Sequence, residues 1–241
     1  MSDNFLKIDY NSIKLSKLVE FIRNLEKNES STETCPVFLY PSLKPKKVFS
    51  ETAKFCSKNI FNIKRNFLSL FGLPSYGVHC NVWKKHKDKF IIYFAKRSEK
   101  SKSFPGYVDN TVAGGQPINL SIFENLKKEA YEEAGISSKF LKKVQRGNIV
   151  SYFHNNNNNF ISAVIFNYHL NKVDELELKN IDGEVESFFS LTLEDTYKLL
   201  EKNLLKPNCI IPILDFILLN DYHFLSKGTI VEIKKILRLN E

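Results

Sequence analysis

Three glutamates near the middle of the chain have a spacing that suits a metal site. Glu129, Glu132 and Glu133 stand at positions i, i+3 and i+4, which places their carboxylates on one face of a helix. Like charges at this spacing destabilise a helix by about 0.2–0.5 kcal/mol per pair. A hard divalent cation relieves that repulsion, and Mg²⁺ is usually held by a few carboxylates together with substrate phosphates. The alternative is a solvated acidic helix face, which the pentapeptide EAYEE alone would favour.

Glycines on both sides of the acidic segment favour the metal site. Gly114 and Gly115 precede it, and a Gly-Gly turn lets the backbone approach a phosphate closely. Gly135 follows it and is a good C-terminal stop, while Ser121 is a suitable N-cap. The sequence therefore predicts a helix from Ser121 to Ala134 with a divalent metal and a phosphate-bearing ligand nearby.

The segment 113–136 resembles a Nudix box, whose pattern is G-x5-E-x7-R-E-U-x-E-E-x-G-U, with U aliphatic. Lys128 stands where the pattern has Arg, and Leu120 falls on the first Glu. If Gly115 leads the box instead, the loop is one residue short and Ser121 is the nearest substitute. Gly114 takes the leading glycine of the pattern, and the metal-binding end matches at Glu129, Glu132, Glu133, Gly135 and Ile136.

Flanking motifs narrow the resemblance. Upstream stand Lys96-Arg97-Ser98, Phe104-Pro105-Gly106 and Asp109-Asn110, and downstream stand Asp182-Gly183-Glu184-Val185-Glu186 and Lys206-Pro207-Asn208-Cys209. The series is similar to the thiamine-pyrophosphokinase-related Nudix hydrolases, which include plant Nudix proteins and the Nudix half of a fused fungal thiamine pyrophosphokinase. The similarity runs from about Tyr76 to about Tyr222, with a weaker N-terminal region.

The resemblance implies roles for the acidic residues. Glu129, Glu132 and Glu133 would bind Mg²⁺, with Mn²⁺ as an alternative ion, and Glu132 or Glu133 would also orient water. Lys128 would hold the helix by ion pairing. Glu184, just before a strand, is predicted as a base or fourth ligand, with a surface glutamate as the alternative and Glu186 as second choice.

The remaining predicted positions concern the substrate. Arg97, Lys100 and Lys102 would contact phosphates, Gly114 and Gly115 would line the phosphate site, and Asp109 and Asn110 would meet the organic part. His79 is expected to be a core histidine, and Pro207 to begin a helix, because Pro favours the first turn.

The implied activity is hydrolysis of a small organic diphosphate to a monophosphate. Thiamine diphosphate and its oxo or oxy forms are the expected substrates, recognised by aromatic stacking and a carboxylate such as Asp109. An ADP-ribose, nucleotide-sugar or dinucleotide pyrophosphatase is the alternative. An isopentenyl diphosphate isomerase would need a reactive Cys near the start of the box, where this chain has Val112-Ala113-Gly114-Gly115. A non-catalytic Nudix-like module would tend to lose the three glutamates.

Composition fits a globular protein that acts on an anionic small molecule. The 241 residues carry a net charge of +8 with 43% hydrophobic residues, which suits solubility and attracts polyanions. No pattern predicts nucleic-acid binding or a membrane span. The four separated cysteines and the N-terminal MSDNFLKIDYNS, which has no apolar core, predict a cytoplasmic location. A monomer and a homodimer both remain open.

The elements needed to position these residues follow an α/β order. Hydrophobic periodicity predicts helices over 11–28 and 51–71, then strands Val78–Trp83 and Phe90–Lys96 around a basic hairpin tip. Strands over Asn148–Phe153, Phe160–Leu170 and Val185–Leu191 follow the acidic helix, then a helix from Leu193 and a buried helix over Cys209–Asn220. We predict an α/β/α Nudix sandwich with a mixed sheet over 73–241, preceded by a small α+β N-terminal region over 1–72.

Overall fold

The computed structural model describes residues 34–37, 61–156, 159–220 and 225–237. The helix predicted over 11–28 lies outside these residues. The helix predicted over 51–71 is wrong from Phe61 onward, since Phe61–Lys64 forms a strand (β2) paired antiparallel with Thr34–Val37 (β1). Strand pairing overrides the helical periodicity here, and Arg65–Phe67 adds only a 3-10 turn.

A seven-stranded mixed sheet forms the centre of the fold. Its strands are β3 (Pro74–His86), β4 (Lys89–Arg97), β5 (Val108–Asn110), β6 (Val112–Gly115), β7 (Gln145–Asn156), β8 (Asn159–Asn171) and β9 (Val185–Thr192). The order is β5-β4-β3-β8-β7, with β6 on β3 and β9 on β4. Only the β3–β8 pair is parallel among the described strands.

Helices cover both faces of this sheet. They are α1 (Ile122–Ala134), α2 (Ser138–Leu141), α3 (Leu193–Glu201), α4 (Ile210–Leu219) and α5 (Lys227–Ile236). Ile122 and Leu126 of α1 pack in one core with Val78 of β3, whereas Phe216 of α4 packs in a second core with Phe94 of β4. Val82 of β3 and its cross-strand partner Tyr93 of β4 both belong to the first core. Phe94 follows Tyr93 and therefore points to the opposite face, so the two cores lie on opposite sides of the sheet. The predicted α/β/α architecture is confirmed.

Most predicted elements are present with longer or shorter ends. The basic tip is a tight hairpin at Lys87 and Asp88, where Lys87 adopts φ 53°. Pro207 begins a 3-10 turn that leads into α4, as predicted. Among the described residues, no helix has the length and apolar character to cross a bilayer.

Candidate active site

The acidic helix α1 is fixed at both ends by local hydrogen bonds. Ser121 Oγ accepts from the Glu124 amide at 3.2 Å, and Glu124 Oε2 accepts from the Ser121 amide at 2.8 Å. This capping box confirms Ser121 as the N-cap. Gly135 ends the helix at φ 66°, as predicted.

Two amide side chains hold the loop that precedes α1. Gln116 Nε2 donates to the carbonyls of Pro117 and Leu120, each at 3.0 Å. Asn125 Nδ2 donates to the Gly115 carbonyl at 2.9 Å. Both residues are fully buried, so their hydrogen bonds hold the loop in a fixed conformation. Sequence reasoning did not identify either of them.

Glu129, Glu132 and Glu133 emerge along one side of α1 but differ in burial. Glu133 is 6% exposed and its Oε2 accepts from the Ala113 amide at 2.7 Å. Burial is the main cause that raises the pKa of Glu133 to about 8, and the negative charges of Asp109, Glu129 and Glu184 raise it further. The hydrogen bond from the Ala113 amide acts in the opposite direction and lowers the pKa. Burial also raises the pKa of Glu129, which Lys128 opposes. Burial therefore disfavours the charged form of both carboxylates.

Lys128 lies between two of these carboxylates. Its Nζ is 3.1 Å from Glu129 Oε1 and 2.6 Å from Glu132 Oε2. The ion pairs predicted for Lys128 therefore run to its own helix. Although burial lowers the pKa of Lys128, its hydrogen bond to Glu132 and the charge of Glu129 raise it above the usual value.

The donor set of α1 fits a hard divalent cation. Glu129 and Glu132 already share one cation, the Lys128 ammonium, and carboxylate oxygens are the ligands that Mg²⁺ prefers. Three ligating side chains do not yet converge on one point within the described residues. Glu133 instead accepts from the Ala113 amide, so a metal would draw these carboxylates from their present partners.

The glycine pair allows charged groups to approach the backbone closely. A Cβ at Gly114 would lie 2.2 Å from Glu129 Cδ, and a Cβ at Gly115 would lie 2.1 Å from Arg65 Nη2. Any other residue at either position would displace a charged side chain. The glycines of the box are therefore explained by the two groups packed on them.

A cavity of about 750 Å³ opens beside the glycine pair and α1. Its acidic wall consists of Glu129, Glu132, Glu133, Asp182 and Glu184. Its basic residues are Arg65, Arg97, Lys128 and Lys206. The cavity thus brings together the predicted Glu129, Glu132, Glu133, Glu184, Arg97, Gly114, Gly115 and Lys128.

Asp109 lies beneath this cavity and holds two of its cations. Asp109 Oδ2 is 3.0 Å from Arg97 Nη1 and 2.8 Å from Lys206 Nζ, and Oδ1 accepts from Cys209 Sγ at 2.8 Å. Burial acts to raise the pKa of Asp109, but Lys206 and the other partners outweigh it and lower the pKa to about 2. Asp109 is therefore a buried anion that orients Arg97 and Lys206.

Asn110, Lys100 and Lys102 are not placed where the sequence analysis expected. Asp109 and Asn110 are buried and absent from the wall of the large cavity, because their polar groups bind other protein groups. Lys100 and Lys102 are exposed on the loop, and its residue Ser103 lines the cavity instead. Glu186, the second choice to Glu184, pairs with Lys96 at 3.0 Å on the surface.

A chain of buried polar groups continues from this cluster through the sheet. His79 Nδ1 donates to Asn110 Oδ1 at 2.8 Å, and Asn110 Nδ2 donates to Asn81 Oδ1 at 2.9 Å. His79 is thus a core histidine, as predicted. On the α4 side, Asp215 accepts from His169 Nε2 at 3.0 Å and from the Asn148 amide and side chain at 3.0 and 2.7 Å.

Comparisons with known proteins agree with the motifs. The chain is 35% identical over 158 residues to Nudix hydrolase 20, chloroplastic, from Arabidopsis thaliana, covering 65% of this chain and 42% of that protein. It is 33% identical over 164 residues to Nudix hydrolase 24, chloroplastic, from the same plant, covering 68% and 45%. These matches support the Nudix hydrolase family. The chain spans less than half the length of either Nudix relative.

The chain was also compared with models of protein families and with solved structures. No family model matches the chain. Among solved structures, a Caenorhabditis elegans Ap4A hydrolase binary complex aligns with a TM-score of 0.40 and 15% identity, over 53% of this chain and 86% of that one. The support for the Nudix family therefore comes from the plant sequences.

Proposed function

We propose that this protein is a divalent-metal-dependent Nudix diphosphohydrolase. The observation that carries the proposal is one cavity in which the box glutamates of α1 and the cations Arg97 and Lys206 are both exposed to a ligand. A diphosphate bound to a metal needs both kinds of group. Water would add across the P–O–P bridge, so that one phosphate takes the hydroxyl oxygen and the other becomes the leaving group.

Glu129, Glu132 and Glu133 would hold the metal, which is Mg²⁺ or alternatively Mn²⁺. When bound, the metal would neutralise charge that develops on the phosphates. Glu184 lines the cavity. Among the described residues, its amide donates to Asp182 Oδ1, whereas no hydrogen bond holds its carboxylate. It would serve as the base that accepts a proton from water, or as a fourth ligand.

Arg97 and Lys206 would bind the phosphate oxygens. Their side chains are 13% and 15% exposed and both touch Asp109, so they are held in place before a ligand arrives. Pre-ordered cations lose little freedom on binding, which favours affinity. Lys206 takes the part that the sequence analysis gave to Lys100 and Lys102.

For the organic part of the substrate, thiamine diphosphate and its oxo or oxy forms are the leading candidates. The support is the resemblance to the thiamine-related subgroup, together with Asp182 on the cavity wall, whose carboxylate suits a cationic ring. No aromatic side chain of the described residues lines this cavity, so charge would replace the expected stacking. The volume of about 750 Å³ also admits ADP-ribose or a dinucleotide, which is the second candidate.

A panel of diphosphates tests the proposal. We expect Mg²⁺-dependent turnover of at least one compound among thiamine diphosphate, its oxo form, ADP-ribose, NADH and 8-oxo-dGTP. ¹⁸O-water should label a phosphate product. If ADP-ribose or a nucleotide exceeds every thiamine compound tenfold in kcat/KM, about 1.4 kcal/mol in transition-state binding, the thiamine assignment is wrong while the hydrolase assignment stands.

Glu133→Gln tests the metal residues directly. The change keeps the volume of the side chain but removes the negative charge that Glu133 would carry as a metal ligand. The fold should therefore be kept while turnover falls by about 10²-fold or more, in line with the loss of an electrostatic contact in a transition state. Glu175→Gln, at an exposed glutamate, is the matched control. Near-normal turnover of Glu133→Gln would contradict the assignment.

A further inference from the structure

Arg65 reaches the cavity from a segment that precedes the main sheet. It follows β2 in a 3-10 turn whose neighbours Ile63 and Leu68 are 1% and 4% exposed. The Leu68 amide donates to the Arg65 carbonyl at 3.1 Å, and the Leu73 amide donates to the Leu68 carbonyl at 2.8 Å. The backbone that carries Arg65 is therefore anchored on its N-terminal side by the pairing of β2 with β1 and on its C-terminal side by these two hydrogen bonds.

The guanidinium of Arg65 lies against Gly115. A Cβ at Gly115 would be 2.1 Å from Nη2, 2.8 Å from Cζ and 3.3 Å from Nη1. Gly115 is itself fixed, because its carbonyl accepts from Asn125 Nδ2 at 2.9 Å and the residue pairs with Gly77 of β3. The position of the guanidinium is thus set by a glycine that cannot be exchanged without moving it.

Arg65 and the box glutamates approach the glycine pair from different directions. Glu129 packs on Gly114 and Arg65 packs on Gly115, and successive residues of a strand point to opposite faces. Both groups nevertheless line the same cavity. A ligand that spans the glycine pair would therefore meet carboxylates at one end and a guanidinium at the other.

We propose that Arg65 binds a phosphate oxyanion of the substrate and so helps to determine specificity for diphosphates. The inference rests on the proposed function. A guanidinium stays charged at all relevant pH values and offers a planar fork of donors that matches phosphate oxygens. Residues outside the Nudix box and its flanking motifs thus complete the site, and residues 73–241 alone lack this group.

Binding of inorganic pyrophosphate, measured by calorimetry in metal-free buffer, tests the role of Arg65 without turnover. We expect Arg65→Ala to weaken binding tenfold or more. Arg65→Lys should restore part of it, because lysine keeps the charge but not the fork. Arg146→Ala, at an exposed arginine of β7, should bind like the unaltered protein. Unchanged affinity in a folded Arg65→Ala protein overturns the proposal.

Kinetics and Gly115→Ala separate binding from a structural role. The Cβ of Gly115→Ala would displace the guanidinium, so this variant and Arg65→Ala should both raise KM several-fold and leave kcat within about twofold. A fall in kcat with unchanged pyrophosphate affinity would mean that Arg65 only supports the loop, and would refute the inference. If pyrophosphate binding depends on Arg65 but no diphosphate is hydrolysed, the proposed function fails and the anion site stands.

Discussion

Protonation of His79 should make the protein sensitive to mild acid. The ring is buried in β3, and its Nδ1 donates to Asn110. Burial lowers the pKa of His79 most, Lys206 lowers it further, and Asp109 and Asn110 oppose the fall, which leaves it at about 4. An unfolded histidine has a pKa of about 6.5. The native state therefore favours the neutral ring.

The sign and size of the effect follow from these two pKa values. A folded-state pKa below the unfolded value gives stability that is present above about pH 6.5 and is lost as the pH falls toward about 4. The shift from 6.5 to about 4 corresponds to about 3 kcal/mol in full. Between pH 7 and pH 5, linkage gives a loss of about 2 kcal/mol in the free energy of unfolding.

Urea unfolding at a series of pH values measures this slope. His79→Asn keeps a donor near Asn110 and removes the titrating ring, so its unfolding free energy should change about 2 kcal/mol less than that of the unaltered protein between pH 7 and pH 5. His86→Gln, at the exposed hairpin tip, should leave the slope unchanged. Equal slopes for His79→Asn and the unaltered protein would refute the reasoning, whatever the absolute stability of the variant.

Three further substitutions test other parts of the molecule. Gly114→Ala should push Glu129 aside, because the added Cβ would lie 2.2 Å from Glu129 Cδ. We expect calorimetry to show at least tenfold weaker Mn²⁺ binding, and unchanged affinity would refute the packing argument. Asp215→Ala should lower the free energy of unfolding, measured by urea denaturation, by about 3 kcal/mol or more, because it leaves buried donors of Asn148 and His169 unpaired. A loss below about 1 kcal/mol would contradict this expectation. Glu184→Gln should reduce kcat by about 10²-fold if Glu184 is the base, with wild-type turnover counting against that role.

The sequence predicted the acidic half of the site better than the basic half. The glutamates, the N-cap Ser121 and the stop at Gly135 lie within one helix, so the spacing of residues suffices to place them. Lys206 and Arg65 reach the cavity through tertiary contacts that no local spacing encodes. Lys100 and Lys102 lie next to a Pro-Gly turn in the sequence, which predicts phosphate contacts, but the structure leaves both exposed on the loop.

The same distinction explains the errors in the fold. The mixed sheet and its covering helices follow from alternation and periodicity over long segments. Ile60, Ile63, Phe67 and Phe71 recur at a helical spacing. Phe61 and Ile63 alternate as in a strand, and pairing with β1 decides for the strand. In the site, the sequence shows the charge of Asp109 and so predicts a ligand contact, but it does not show the burial of Asp109 beside Arg97 and Lys206.

The parallel pairing of β3 with β8 has a consequence for how this protein acquires its structure. Ser75 and Ser162, which bond across that pair, are 87 residues apart, and Asp109 and Cys209 are 100 residues apart. Contacts between distant parts of a chain form slowly, because loop-closure entropy is lost before any pairing energy is gained. The cationic cluster can assemble only after Lys206 and Cys209 are synthesised, so a nascent chain that has already formed the capped glutamate helix would still lack the lysine of this cluster.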